Sequence, residues 1–224
     1  MWLSLHPGPG LSGDAAHTLG TRALSTMAYG FATICAPAMI LSPTFFRYWI
    51  GADFAAVAAP VAQVLFPGMW MGALSLVGFT LLQSQGRADV TGKMSMVEFL
   101  PFIGILWGLT IAFGIVGAAA AWSLRCTVDA LVMLWLSGMK RGDFVLLLPP
   151  AALLVAGLVV SRFLDSSLVT TFPVAAFIGA ASFVLGYLFS EDWRRLTLAQ
   201  VNRARVFLGG LTRAKPIPPI NAQK

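Results

Sequence analysis

Six long apolar stretches, separated by short polar interruptions, set the pattern of this chain. They cover residues 23–46, 54–82, 94–113, 115–138, 144–164 and 168–189. A helix needs about 20 apolar residues to cross a hydrocarbon layer of about 30 Å, so each stretch predicts one membrane-crossing helix. The small, polar residues before Ala23 predict a short helix that stops at the membrane surface. Residues 1–22 thus form a cytoplasmic N-terminal segment. The first span closes with FFRYWIG, where Arg47, Tyr48 and Trp49 make an interfacial belt ahead of Gly51. The second contains Pro60, Pro67, Gly68, Gly72 and Gly78, which predict tilting, kinking or breaking. Gly114 predicts a very tight turn between the third and fourth spans. The last two spans carry no buried charge and read as lipid-facing.

After Ser190 the pattern changes. Trp193, Leu196, Val201, Ala204, Phe207, Leu208 and Leu211 share one helical face, with Arg194, Arg195, Arg203 and Arg205 elsewhere. That arrangement predicts an amphipathic helix lying in the headgroup layer, drawn to anionic lipid. Residues 190–224 therefore form a basic cytoplasmic tail, and its closing PIPPINAQK reads as disordered.

Composition agrees with the pattern. Of 224 residues, 58% are hydrophobic and 11% charged, with a mean hydropathy of +0.80, which leaves too little polar surface for a soluble domain of this size. The expected fold is an all-α integral membrane protein, six transmembrane helices forming one bundle. The N-terminus has neither a basic start nor a long apolar run, so it does not read as a cleavable signal peptide. Cys35 and Cys126 lie inside apolar runs and His6 and His17 precede the first span, a distribution that suggests no disulfide, metal site or catalytic dyad. No cofactor is expected. The scattered acids support neither hydrolysis nor group transfer, so the chain does not read as an enzyme.

Twelve of the 15 basic residues fall on one side of the predicted spans. Only Arg47 and Arg162 fall on the other, and Arg125 lies within a span. Such a bias over short loops predicts that both termini are cytoplasmic. The basic tail flanks a span, which argues against nucleic acid as its partner.

Arg125 is the feature that most needs an explanation. It lies about ten residues into the fourth span, roughly 15 Å along the axis and close to the midplane. An arginine there costs at least about 2.5 kcal/mol unless it faces protein or a water-filled cavity. At 100° per residue, Gly114, Gly117, Ala118 and Ala121 share its side together with Asp129, so one face is both small and charged. Small residues let another helix approach closely, and Arg125 and Asp129, four apart, can pair along that face. A structural ion pair that fixes helix rotation and a contact to a transported substrate both remain open. Glu98, near the start of the third span, reads first as a snorkelling or capping acid. Gln83, Gln85 and Arg87 could meet an entering headgroup, although a solvated loop is the simpler reading. Arg47 and Trp49 read as an interface anchor.

The ordered set FFRYWIGADF, LLQSQGRADVTGK, an acid-entered third span and GIVGAAAAWSLR resembles the C-terminal half of bacterial polysaccharide-biosynthesis flippases. These belong to the multidrug/oligosaccharidyl-lipid/polysaccharide (MOP) exporter superfamily, and the chain would correspond to the C-terminal lobe of a MATE-like transporter. The motifs run from about Pro7 to Leu136, and beyond that only the hydropathy corresponds. The resemblance implies a plasma (inner) membrane transporter of two bundles around a cavity that opens alternately to either side. It implies a polyprenyl-pyrophosphate-linked oligosaccharide as cargo, membrane lipid as surroundings, and Arg125 at the position of the family's motif arginine. Asp129 would tune or hold that arginine. With only six spans here, the implied first bundle is absent, and the expectation is an N-terminally truncated chain or a half-transporter that works with a separate N-terminal half or a second copy. A membrane-embedded enzyme acting on polyprenyl phosphate and a non-functional remnant are the alternatives.

Overall fold

The structure is a computed structural model that describes residues 13–164, 167–191, 193–195 and 197–199. Among them there are helices and no strands: α1 (Gly13–Trp49), α2 (Ala52–Ser84), α3 (Ala88–Leu136), a 3-10 turn (Arg141–Leu147), α4 (Leu148–Phe163) and α5 (Leu168–Phe189). Five of the described helices are long and apolar enough to cross a membrane. The chain is an all-α membrane bundle.

α3 accounts for two of the six expected crossings. Its 49 residues would extend about 73 Å as one rod, more than twice the hydrocarbon thickness. Instead the backbone leaves the helical region at Gly114, where φ is 62° and ψ is −140°, and the two arms, 88–113 and 115–136, fold back on each other. That combination is open essentially to glycine alone. Leu109 and Gly117 meet across the turn so closely that a Cβ on Gly117 would collide with the Leu109 carbonyl oxygen. The small face read from the sequence thus admits the arm that precedes it.

Other boundaries differ from expectation. Among the described residues the segment before Ala23 is not a separate surface helix, because the polar turns from Gly13 onward continue without interruption into α1, 37 residues in all. α2 is likewise one helix of 33 residues, prolines included. Its glycines serve packing rather than bending. A Cβ on Gly68 would collide with Ser123, one on Gly78 would meet the Met133 backbone at 2.7 Å, and Gly72 faces Cys126. These positions let α2 and the parallel arm 115–136 approach backbone to backbone, as small residues do between membrane helices. The fifth crossing begins with the 3-10 turn, because Pro149 and Pro150 occupy the start of α4, where a missing N–H breaks no helical bond.

α1 is the central helix, packing on α2, α4 and α5, while α3 packs on α2. The core follows from that order: Leu24, Ala28, Ala32, Met39 and Ile40 of α1 meet Trp70 and Leu74 of α2 and Ala175 and Ile178 of α5. Buried polar contacts pin the pairs. Trp70 Nε1 donates to the Ala28 carbonyl at 2.8 Å, Thr44 to Thr171 at 3.1 Å, and Gln63 to Ser161 at 3.1 Å. Each such bond between membrane helices is worth about 0.6–2 kcal/mol. At the end of α5, Trp193 lies in a notch between Gly30 and Gly186, edge-on to Phe183 at 5.9 Å. The remainder of the expected amphipathic face, Leu196 and Val201 to Leu211, lies outside the described residues, as do residues 1–12 and the PIPPINAQK end.

Candidate functional site

The hairpin of α3 carries the charge cluster. Arg125 is 11 residues from Gly114 and 11 from Leu136, hence about 16 Å from each end of its arm. It is at mid-depth. The antiparallel return of the chain sets the arm 88–113 beside it, and two residues one helical turn apart on that arm meet the guanidinium. Glu98 Oε2 lies 4.0 Å from Arg125 Nε, and the Phe102 ring lies under the guanidinium carbon with its centroid at 4.9 Å. The cation therefore has a carboxylate on one side and the negative face of an aromatic ring on another.

This overturns two sequence expectations. Glu98 is not a snorkelling or capping acid: its side chain is 10% exposed and faces Arg125. The reason is the hairpin, which turns the residue's face inward toward the neighbouring arm. Arg125 does not pair with Asp129 in this structure. Asp129 is turned toward α2, where it accepts a short hydrogen bond from the Ser75 hydroxyl. The i, i+4 spacing permits a pair, but the two charges have better partners on different neighbouring helices. Ser123, on the same side as Asp129, donates to the Val64 carbonyl at 2.7 Å and fastens the arm to α2.

The cluster is incompletely satisfied. Glu98 Oε1 is buried and has no hydrogen-bond partner among the described residues. The Arg125 side chain is 43% exposed and borders a groove of about 210 Å³ whose walls include Phe102, Ile105, Leu124 and Val128. An unpaired polar atom in a dry setting costs about 1–3 kcal/mol or more, so this edge of the bundle is short of at least one polar neighbour.

Gln83 and Arg87 are not part of the cluster. They lie at the end of the bundle where α2 turns into α3, and Gln83 is exposed there. Arg87 donates to the Leu136 carbonyl at 2.9 Å and Gln85 to the Ser137 carbonyl at 3.0 Å. Both close the carbonyl end of the arm 115–136, where a cation also opposes the helix dipole. At the same end His17 Nε2 lies 2.9 Å from Asp143 Oδ2, which also accepts from the Lys140 N–H at 2.8 Å. Arg47 is at the opposite end with exposed Tyr48 and Trp49. Among the described residues no cluster of three or more His, Cys, Asp or Glu could hold a metal ion.

Ser75 and Phe102 were missed by sequence reasoning although both carried a signal. Phe102 is four residues after Glu98 and so shares its face, and Ser75 continues the Gly68, Gly72 small stripe.

The chain is 29% identical over 107 residues to a Shigella flexneri protein named "Putative O-antigen transporter", an alignment that covers 46% of this chain and 26% of that relative. The chain thus spans about a quarter of the relative it matches. No family model matches the chain, and no solved structure matches it. The likeness to a polysaccharide-related transporter and the helical membrane fold point the same way.

Proposed function

We propose that this chain is one bundle of a transporter that flips polyprenyl-pyrophosphate-linked oligosaccharide across the bacterial inner membrane, with both termini cytoplasmic. The observation that carries the proposal is the guanidinium at mid-depth, half open to a groove. A sugar-pyrophosphate headgroup cannot cross hydrocarbon unaided, and a cation held at the midplane lowers that barrier. In this reading Arg125 meets the phosphate, Glu98 holds the cation when no cargo is bound, and Asp129 fixes the arm against α2. Gln83 and Arg87 form the rim at which the headgroup enters.

The groove by itself is too small. Ligand sites run to about 300–1,000 Å³, and this one is about 210 Å³. A second wall is required, and a partner bundle or a second copy across the exposed side of the hairpin supplies it. That wall also brings the missing neighbour for Glu98 and takes Arg125 out of contact with acyl chains. The likeness to the MOP exporters, whose cavity lies between two bundles, supports the same arrangement. Orientation rests on the basic residues: Arg87, Lys93, Lys140 and Arg141 gather at the end that bears the 85–87 and 137–140 connections, and Arg47 is at the other.

The test replaces the chromosomal copy with Arg125→Ala and measures surface polysaccharide together with lipid-linked intermediates. The expected result is loss of surface polymer with accumulation of the lipid-linked precursor. Unchanged levels in a deletion strain would sink the transport reading. Unchanged levels in Arg125→Ala alone would remove this residue from the route.

A further inference from the structure

A second hollow, of about 330 Å³, opens at the Arg47 end of the bundle between the last turns of α1 and the first three turns of α2. Its walls are Pro43, Ala56, Ala59 and Pro60, its rim is Arg47, and its inner end is Gln63. Alanine and proline side chains are too short to fill the gap between the two helices here. Gln63 lies 12 residues along from Gly51, about 18 Å deeper, so the hollow is a slot that descends from the membrane surface toward the midplane.

The chemistry of the slot is graded. At the rim, Arg47 has no ion-pair partner among the described residues, and the Asp53 carboxylate in the first turn of α2 is not within 4.0 Å of it. The N–H groups at the start of α2 receive no side-chain cap, because Gly51 precedes them. Both features favour an anion. The level of the rim is fixed by exposed Tyr48 and Trp49, with Phe45 edge-on to Trp49 at 4.7 Å and Phe46 to Phe54 at 5.7 Å, an aromatic belt of the kind found at headgroup depth. Below the rim the walls are apolar. At the inner end Gln63, 5% exposed, is already engaged with Ser161 of α4.

We propose that this slot binds one anionic phospholipid, its phosphate on Arg47 and one acyl chain along Ala56, Ala59 and Pro60. A cation above an apolar trough matches an amphiphile with a charged head and a hydrocarbon chain. A sugar headgroup would find no polar wall below the rim. The volume is within the range of small-molecule sites, and the opening at the aromatic belt is where such a lipid already resides. The proposal does not depend on the transport reading: it concerns the opposite end of α2 from Arg87, and it holds whatever the α3 groove carries.

The experiment uses the full chain purified into nanodiscs of phosphatidylglycerol and phosphatidylcholine, with retained lipid read by native mass spectrometry. Wild-type protein should retain one phosphatidylglycerol beyond its mole fraction. Arg47→Gln should lower that retention about tenfold, as expected for losing one charge-assisted contact, while Arg47→Lys keeps most of it. Ala56→Leu, which fills the trough and leaves the charge, should lower retention of either lipid, and it decides the matter if Arg47→Gln fails to fold by circular dichroism. Retention that simply follows mole fraction, or is unchanged in both Arg47→Gln and Ala56→Leu, overturns the proposal. So does displacement by polyprenyl phosphate at equal mole fraction, which would make the slot a cargo site.

Discussion

Consider Glu98→Gln, Arg125→Met and the two combined. The charges are 4.0 Å apart. At an effective dielectric of about 20 that separation is worth about 4 kcal/mol, and far less where solvent reaches the pair. Arg125 is 43% exposed, so about 2 kcal/mol is a reasonable working figure for the coupling. Removing only the carboxylate leaves a guanidinium at mid-depth with the Phe102 ring as its remaining partner, worth about 0.5–2 kcal/mol. Glu98→Gln should therefore destabilise the chain by about 2 kcal/mol. Arg125→Met leaves a buried carboxyl that can take up a proton, and the cost should be smaller, about 1 kcal/mol. The double variant removes both charges and should cost only about 1 kcal/mol, the two single losses less the coupling of about 2 kcal/mol, since a buried pair exchanged for apolar or neutral groups is seldom costly. The assay is reversible unfolding in mixed lipid and detergent micelles, read as a double-mutant cycle. Strict additivity, within about 0.5 kcal/mol, would refute the claim that Glu98 and Arg125 sense each other.

Three further outcomes follow from the same geometry. Gly114→Ala meets no atom within 4 Å, so any loss reports backbone strain alone, and it should cost about 1–3 kcal/mol in the same unfolding assay. Gly78→Ala places a Cβ 2.7 Å from the Met133 backbone and should cost about 1–3 kcal/mol by forcing α2 and the arm 115–136 apart, visible as a lowered midpoint and loosened cross-linking between positions 72 and 126. Ser75→Ala leaves Asp129 without its hydroxyl donor and should cost about 1–3 kcal/mol, whereas Ser75→Thr, which keeps the hydroxyl, should retain more of the stability.

The crossings were legible in the sequence because a membrane helix is specified by length and apolarity alone, and the Gly114 turn because two full spans with nothing polar between them leave no other place to reverse. The mid-depth position of Arg125 was legible for the same reason. The partners were not. Helical periodicity fixes which residues share a face on one helix, and so it offered Asp129 to Arg125, but it says nothing about which helix lies opposite. The close approach of Gly117 to Leu109 settles that question and brings up Glu98, 27 positions earlier in the chain. Glycines mislead in the same way. In water Gly68 and Gly72 would weaken a helix, but between membrane helices they mark where backbones touch, and composition cannot tell these uses apart. The Arg47 slot was hidden for a further reason: a hollow is defined by the atoms that are absent, and alanine at a helix crossing looks the same in a sequence whether the gap is filled or open.

The turn at Gly114 also bears on how this protein enters the membrane. A connection with no loop hands the translocation machinery two arms as a single object, and the acidic one emerges first. During the time needed to synthesise the next 27 residues, Glu98 has no counter-ion, so the first arm is a poor candidate for release into lipid by itself. Partition should wait until the cation arrives and the arms enter side by side as a neutral pair. A nascent chain stalled before residue 125 should therefore remain beside the insertion channel, and one stalled well after it should not.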